Sequence, residues 1–112
     1  MWYERVHGVN HTMTGECVFQ LGIALLGQDK LDDETRAVLQ LALDIRLLNK
    51  GPDAENVGVA NYNLGNFHYK RGEYAQAKPL YKEALRIFTK VHGPEHPKTA
   101  NVKELLLQIP LI

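Results

Sequence analysis

The side chains of this 112-residue chain that could do chemistry are few, and five histidines and one cysteine head them. His92 and His96 have a spacing that would let two imidazoles share a metal ion if both lay on one continuous helix turn. Gly93 and Pro94 lie between them and break such a turn. Neither a cysteine nor a paired carboxylate completes a ligand set nearby. The segment Val6-His7-Gly8-Val9-Asn10-His11 also lines up with Val91-His92-Gly93-Pro94-Glu95-His96, so the histidines read as a repeated loop signature. His68 falls on an apolar helix side and reads as a packed residue rather than a general base. Cys17 is expected on the buried side of its helix, without a basic neighbour in sequence to lower its pKa, and reads as an inert thiol. Neither glycine-rich phosphate-binding pattern occurs. The expectation is a chain that is not an enzyme and takes no cofactor and no metal.

A different constellation points to binding. Tyr62, Asn66, Tyr69 and Lys70, flanked by Asn63, line up aromatic rings, amides and one cation along a helix. Amides can pair with the backbone of an extended peptide, and aromatic rings give contact area at low entropy cost. The opposing interpretation is a solvated face whose tyrosines cover neighbouring stems.

The elements that must position these groups follow from periodicity. Gly8, Gly51 and Gly93 break the chain at separations of 43 and 42 residues, which implies stacked supersecondary units rather than one closed core. Each interval divides again at a polar turn, giving two helices per unit. Val57 to about Lys70 is a first helix, Arg71-Gly72 a turn, and about Tyr74 to Val91 a second helix. At about 100° per residue, Ala60, Leu64, Phe67 and His68 share one side of the first helix, and Val59, Tyr62, Asn66, Tyr69 and Lys70 the other. In the second helix Ala77, Leu80, Tyr81, Ala84, Leu85, Ile87 and Phe88 recur at three- and four-residue intervals. The earlier unit repeats the plan, with helices at about Thr14 to Leu26 and Asp33 to Asn49, Leu21-Gly22 in the place of Leu64-Gly65, Ala42-Leu43 in that of Ala84-Leu85, and Thr35 in that of Ala77. One extra residue falls in the turn Gln28 to Asp32, and Asp32 or Asp33 is the expected N-cap. Pro97 to Ile109 reads as another first helix stopped by Pro110, and Met1 to His7 as the tail of an earlier second one. Pro79 removes a backbone donor inside its helix, so a bend or frayed first turn is expected there.

Composition narrows the partners. Thirteen basic residues balance thirteen acidic ones, for a formal net charge of zero, which argues against nucleic acid and against an anionic membrane surface. The apolar stretch Val18 to Leu26 is interrupted by Gln20 and Gly22 and is far shorter than the roughly 20 residues that span a bilayer. The start, Met1-Trp2-Tyr3-Glu4-Arg5, lacks the pattern of a secretory signal. A single cysteine cannot form an internal disulfide, so a reducing, cytoplasmic setting is expected.

Leu64-Gly65, Gly72, Tyr74, Ala77, Tyr81 and Ala84 keep the spacing at which small and large residues alternate in the tetratricopeptide repeat, which the chain resembles over residues 5 to 109. Gly93-Pro94-Glu95-His96-Pro97, the segment Tyr74 to Leu85 and the longer period resemble the kinesin light chain branch, shared with nephrocystin-like proteins. The resemblance implies an all-α solenoid of antiparallel helix pairs, with a period of about 42 residues and a right-handed superhelical stack. Residues 1–112 would form a single domain: 1–8 the tail of a preceding helix, 12–50 a degenerate repeat, 55–92 a well-formed repeat and 96–109 the first helix of a further one. In such arrays the first helices line a concave groove, which puts Tyr62, Asn63, Asn66, Tyr69 and Lys70 in it. Register adds Phe19, Gln20 and Ile23 from the earlier repeat. Asn63 stands where kinesin light chains have asparagine, and the resemblance there implies peptide binding. A two-carboxylate clamp fits less well, because Gly27 occupies the place where Lys70 would need a second cation. The expected role is a noncatalytic adaptor or scaffold that binds a protein or peptide ligand. Alternatives are a self-assembling oligomer, through the apolar end Leu105, Leu106, Leu107, Ile109, Leu111 and Ile112, and a regulatory repeat fragment of a larger protein.

Overall fold

The structure, a computed structural model, describes residues 11–109, with side chains from residue 16 onward. The expectations for Met1 to His7, Gly8, the side chains of His7 and His11, Pro110, Leu111 and Ile112 lie outside the described residues. Five helices follow one another without a strand among those residues: α1 (His11–Gly27), α2 (Asp33–Lys50), α3 (Glu55–Lys70), α4 (Tyr74–His92) and α5 (Pro97–Gln108).

Local chemistry accounts for the boundaries. Asp32 caps α2, its carboxylate accepting the Thr35 amide at 2.9 Å, and this bond holds the Asp32 carboxyl below its ordinary pKa. His96 caps α5 through Nδ1, which accepts the Lys98 amide, and Pro97 follows at the first helical position, where its missing N–H costs nothing. Gly51 and Gly93 close α2 and α4 at φ of 86° and 92°, a conformation side chains resist. Helix α4 runs on through Pro79; both Pro79 and Ala75 are exposed, so water can satisfy the carbonyl that proline leaves without a donor.

Each helix packs against the next in sequence, α1 on α2, α2 on α3, α3 on α4 and α4 on α5, with a lighter contact between α1 and α3. The pairs α1/α2 and α3/α4 approach through the same device. A Cβ on Gly22 would lie 2.8 Å from Leu39 Cδ2, and one on Gly65 would lie 2.8 Å from Tyr81 Cε1. At Gly65 a side chain would displace the Tyr81 ring, whereas at Gly22 it would press on the end of the flexible Leu39 side chain. Gly58 plays a similar part against Ile87 and Phe88. Leu39, Ala42, Leu64, Phe67, Ala77, Tyr81, Ala84 and Ile87 form the centre of a core that continues to Val102 in α5.

Arg46 ties the two pairs together. Its guanidinium, on a buried residue of α2, lies 3.5 Å over the Phe19 ring of α1, donates to the Asn56 carbonyl of α3 at 2.7 Å and to Glu16 Oε1 at 2.9 Å. The packing of α1 corrects one expectation. Cys17 is exposed, not buried, because the side of α1 that meets α2 carries Phe19, Gly22 and Leu26 instead. At the far end, Leu107 is 86% exposed as expected, but Leu105 and Leu106 are half-buried against the core and Ile109 is folded back into it.

Candidate functional site

The side of α3 that does not meet α4 head-on carries Val59, Tyr62, Asn63, Asn66 and Tyr69, all half-buried, with Lys70 exposed at its end. Tyr62 and Tyr69 rest on Tyr81 of α4, which is fully buried and packs its ring 6.0 Å from that of Tyr62 and 6.3 Å from that of Tyr69. Tyr74 adds an edge-on contact to Tyr69 at 5.4 Å. A ladder of tyrosines thus stiffens the face, each ring packed in the offset or tilted way that aromatic quadrupoles favour.

Between α3 and α5 this face opens into a cavity of about 250 Å³. Val59, Tyr62 and Asn63 line it from α3, Lys98, Asn101 and Val102 from α5, and Phe88 of α4 contributes to its lining. Asn101 Nδ2 donates to the Tyr62 hydroxyl at 2.9 Å, bridging the two walls. Lys98 is half-engaged, 3.5 Å from Glu55. An apolar hollow rimmed by two amides, a phenol and an ammonium is suited to an apolar side chain flanked by hydrogen-bonding groups. Of the eight residues read from sequence as a groove, Tyr62 and Asn63 line this cavity, while Asn66, Tyr69 and Lys70 continue along α3. Lys98, Asn101, Val102, Val59 and Phe88 were not among them. The spacing of α3, carried forward into α5 as well as back into α1, is the signal that could have found the α5 wall.

The α1 residues divide. Gln20 is exposed and Ile23 is 37% exposed, open to solvent as a groove wall would require. Phe19 is not on that surface: only 6% is exposed, because the Arg46 guanidinium covers its ring. Lys70 reaches Asp29 at 3.0 Å instead of a second cation.

The histidines take structural positions. His68 is 13% exposed in its side chain, set edge-on to Phe67, with Nδ1 2.8 Å from Glu73 Oε1. His92 and His96 stack at 4.1 Å and 19°, and His92 Nε2 meets Glu55, so the loop after α4 is clasped to the start of α3. Burial acts to raise the Glu55 pKa, but its bonds to His92 and Lys98 outweigh that and hold it below the ordinary carboxylate value. Among the described residues no three His, Cys, Asp or Glu side chains gather as a metal site would need. No helix of the described residues is long and apolar enough to cross a membrane.

Comparison with known proteins agrees with the helical pattern where it is clearest. Residues 56–109, from α3 to the residue after α5, match the tetratricopeptide repeat family model. Two curated relatives carry the name clustered mitochondria protein homolog. One, from Brugia malayi, is 28% identical over 101 residues, covering 90% of this chain and 7% of the relative. The other, from Candida albicans (strain SC5314), is 27% identical over 106 residues, covering 95% of this chain and 8% of the relative. The chain therefore spans less than a tenth of the length of these relatives, and neither is a kinesin light chain.

Proposed function

We propose that this chain is a tetratricopeptide solenoid segment, with α1/α2 and α3/α4 as successive hairpins and α5 as the first helix of another. Its role is noncatalytic: it holds a peptide or a helix of a protein partner along the face formed by α1, α3 and α5. The observation that carries this reading is the cavity shared by α3 and α5, because it joins two non-consecutive helices on one side of the molecule and presents amides around an apolar floor. Preformed by the tyrosine ladder, such a surface leaves most of the ordering cost to the partner. Tetratricopeptide repeats in general bind protein partners, which agrees with the match over residues 56–109.

The finer role is that of an adaptor or scaffold. The relatives' name concerns clustered mitochondria, and the much greater length of those proteins favours this stretch as the partner-binding segment of a longer cytoplasmic chain of that kind. Cargo selection in the manner of kinesin light chain repeats is the variant suggested by the Gly93 to Pro97 loop and Asn63. A structural reading, self-association through α5, draws support from Leu107; a mass that stays monomeric in light scattering as concentration rises would remove it.

The binding reading is tested with a displayed library of random 12-residue peptides. The parent should enrich peptides whose binding weakens at least about tenfold, the worth of two neutral contacts, in the Tyr62→Ala, Asn66→Ala double variant at unchanged helical content. A double variant that binds as the parent does would place the surface elsewhere.

A further inference from the structure

Asn66 sits half-buried in the middle of the proposed binding face, and an asparagine amide can present either its oxygen or its NH₂ group. Which one it presents decides what it can recognise. The Tyr81 hydroxyl donates to Asn66 Oδ1 at 2.5 Å. Tyr81 comes from α4, is 0% exposed, and has its ring held against Gly65, where a Cβ would lie 2.8 Å from the ring, so it has no freedom to follow Asn66 elsewhere. Burial pushes the Tyr81 hydroxyl above the ordinary phenol value, so it keeps its proton, and in the structure that proton is directed at Asn66 Oδ1. With Oδ1 accepting from Tyr81, Nδ2 makes no hydrogen bond to another of the described residues.

We infer that Tyr81 is a positioning residue which, from beneath the face, fixes the polarity of the Asn66 amide so that the surface offers an N–H donor at that point. The inference rests on the peptide-binding reading above and deepens it. The partner group met by Asn66 is then an acceptor, a backbone carbonyl or a side-chain carboxylate or amide oxygen, and not an N–H. The neighbouring phenol agrees in sign: the Tyr62 oxygen already accepts from Asn101, which leaves its own hydrogen to donate outward. A buried aromatic therefore does two jobs with separate atoms. Its ring fills the crossing of α3 and α4, and its hydroxyl sets the recognition chemistry.

The two jobs can be separated by Tyr81→Phe, which keeps the ring and removes only the oxygen. The probe is a peptide enriched by the parent from the 12-residue library, with affinity measured by fluorescence anisotropy for the parent, Tyr81→Phe, Asn66→Ala and the double variant. Tyr81→Phe should weaken binding about three- to tenfold, the worth of a neutral hydrogen bond, while the far-ultraviolet spectrum stays that of the parent. In the Asn66→Ala background the same substitution should change affinity less than about twofold, because nothing remains to be oriented. A Tyr81→Phe effect that is absent, or that persists at full size without Asn66, overturns the positioning role and leaves the binding reading standing. A parent that enriches no peptide, or enriches only peptides indifferent to Tyr62 and Asn66, overturns both.

Discussion

Thr35 shows how much a single position reveals. It stands in α2 where α4 has Ala77, and both are fully buried, so the space is that of a small residue at a helix crossing. The threonine hydroxyl, however, is buried and, beyond a weak polar influence on the Asp32 carboxylate, has no hydrogen-bond partner among the described residues. Leaving a buried hydroxyl unmet costs about 1–3 kcal/mol, whereas the γ-methyl packs well. Thr35→Val keeps the volume and removes the orphaned oxygen, and it should raise unfolding free energy by about 1 kcal/mol, read from urea denaturation at constant m-value. Position 35 was legible in the sequence as a small-residue site, but its unmet hydroxyl was not, since satisfaction depends on neighbours that only folding brings together. Asn61 shows the opposite outcome, with its buried amide donating to the Val57 carbonyl one turn back.

At the scale of elements, the sequence pattern held for the existence of the described helices and for the facing of α3 and α4, and failed for the facing of α1. Helix α4 has one clean apolar stripe, so Ala77, Tyr81, Ala84, Ile87 and Phe88 could be placed in the core from spacing alone. In α1 apolar residues run almost all the way round, through Phe19, Leu21, Ile23, Leu25 and Leu26, and periodicity cannot choose which side α2 will cover. That is why Cys17 and Phe19 exchanged places relative to expectation. The deciding contact, Arg46 over Phe19, joins residues far apart in sequence and has no local signal. It also carries a test of how the helices are joined. Arg46 makes three contacts with one planar group: a stack on α1, a bond to an α3 carbonyl, and a bond to Glu16, whose side chain is 50% exposed and so contributes little. Lysine keeps the charge but can neither stack flat nor fork. Arg46→Lys should therefore destabilise the chain by about 1–3 kcal/mol, measured by urea denaturation, and hydrogen exchange should rise first at the junction of α2 with α3. Unchanged stability would show that the hairpins are joined by apolar packing alone.

At the scale of the whole molecule, charge acts through a few clasps that span elements rather than through a net field, since the formal net charge is zero. Asp53, in the loop before α3, meets Lys90 and Arg86 of α4 at 2.7 and 2.8 Å, and Glu83 meets Arg86 at 2.7 Å. The Lys90 and Arg86 hydrogen bonds hold the Asp53 carboxyl below its ordinary value, and the Arg86 bond does the same for Glu83. Glu55 and Asp32 are depressed too, by the contacts described above. For each of these groups the folded chain binds its proton less readily than the unfolded one, so unfolding takes up protons in acid. Their stabilisation is present in full above the unfolded carboxylate range, about 4, and is lost as pH falls through the lower folded values. Melting followed by circular dichroism should accordingly give a midpoint that is level near neutrality and drops below about pH 4. Asp53→Asn separates this clasp from the rest: it should lower the midpoint at pH 7 and narrow the difference from the parent at pH 3, where the parent's Asp53 is itself becoming neutral. The surface position of the pairs adds a second check, because exposed ion pairs are screened by salt. Raising ionic strength at pH 7 should therefore move the parent toward the variant, and a gap that does not depend on salt or pH would mean that Asp53 acts through the shape of its loop.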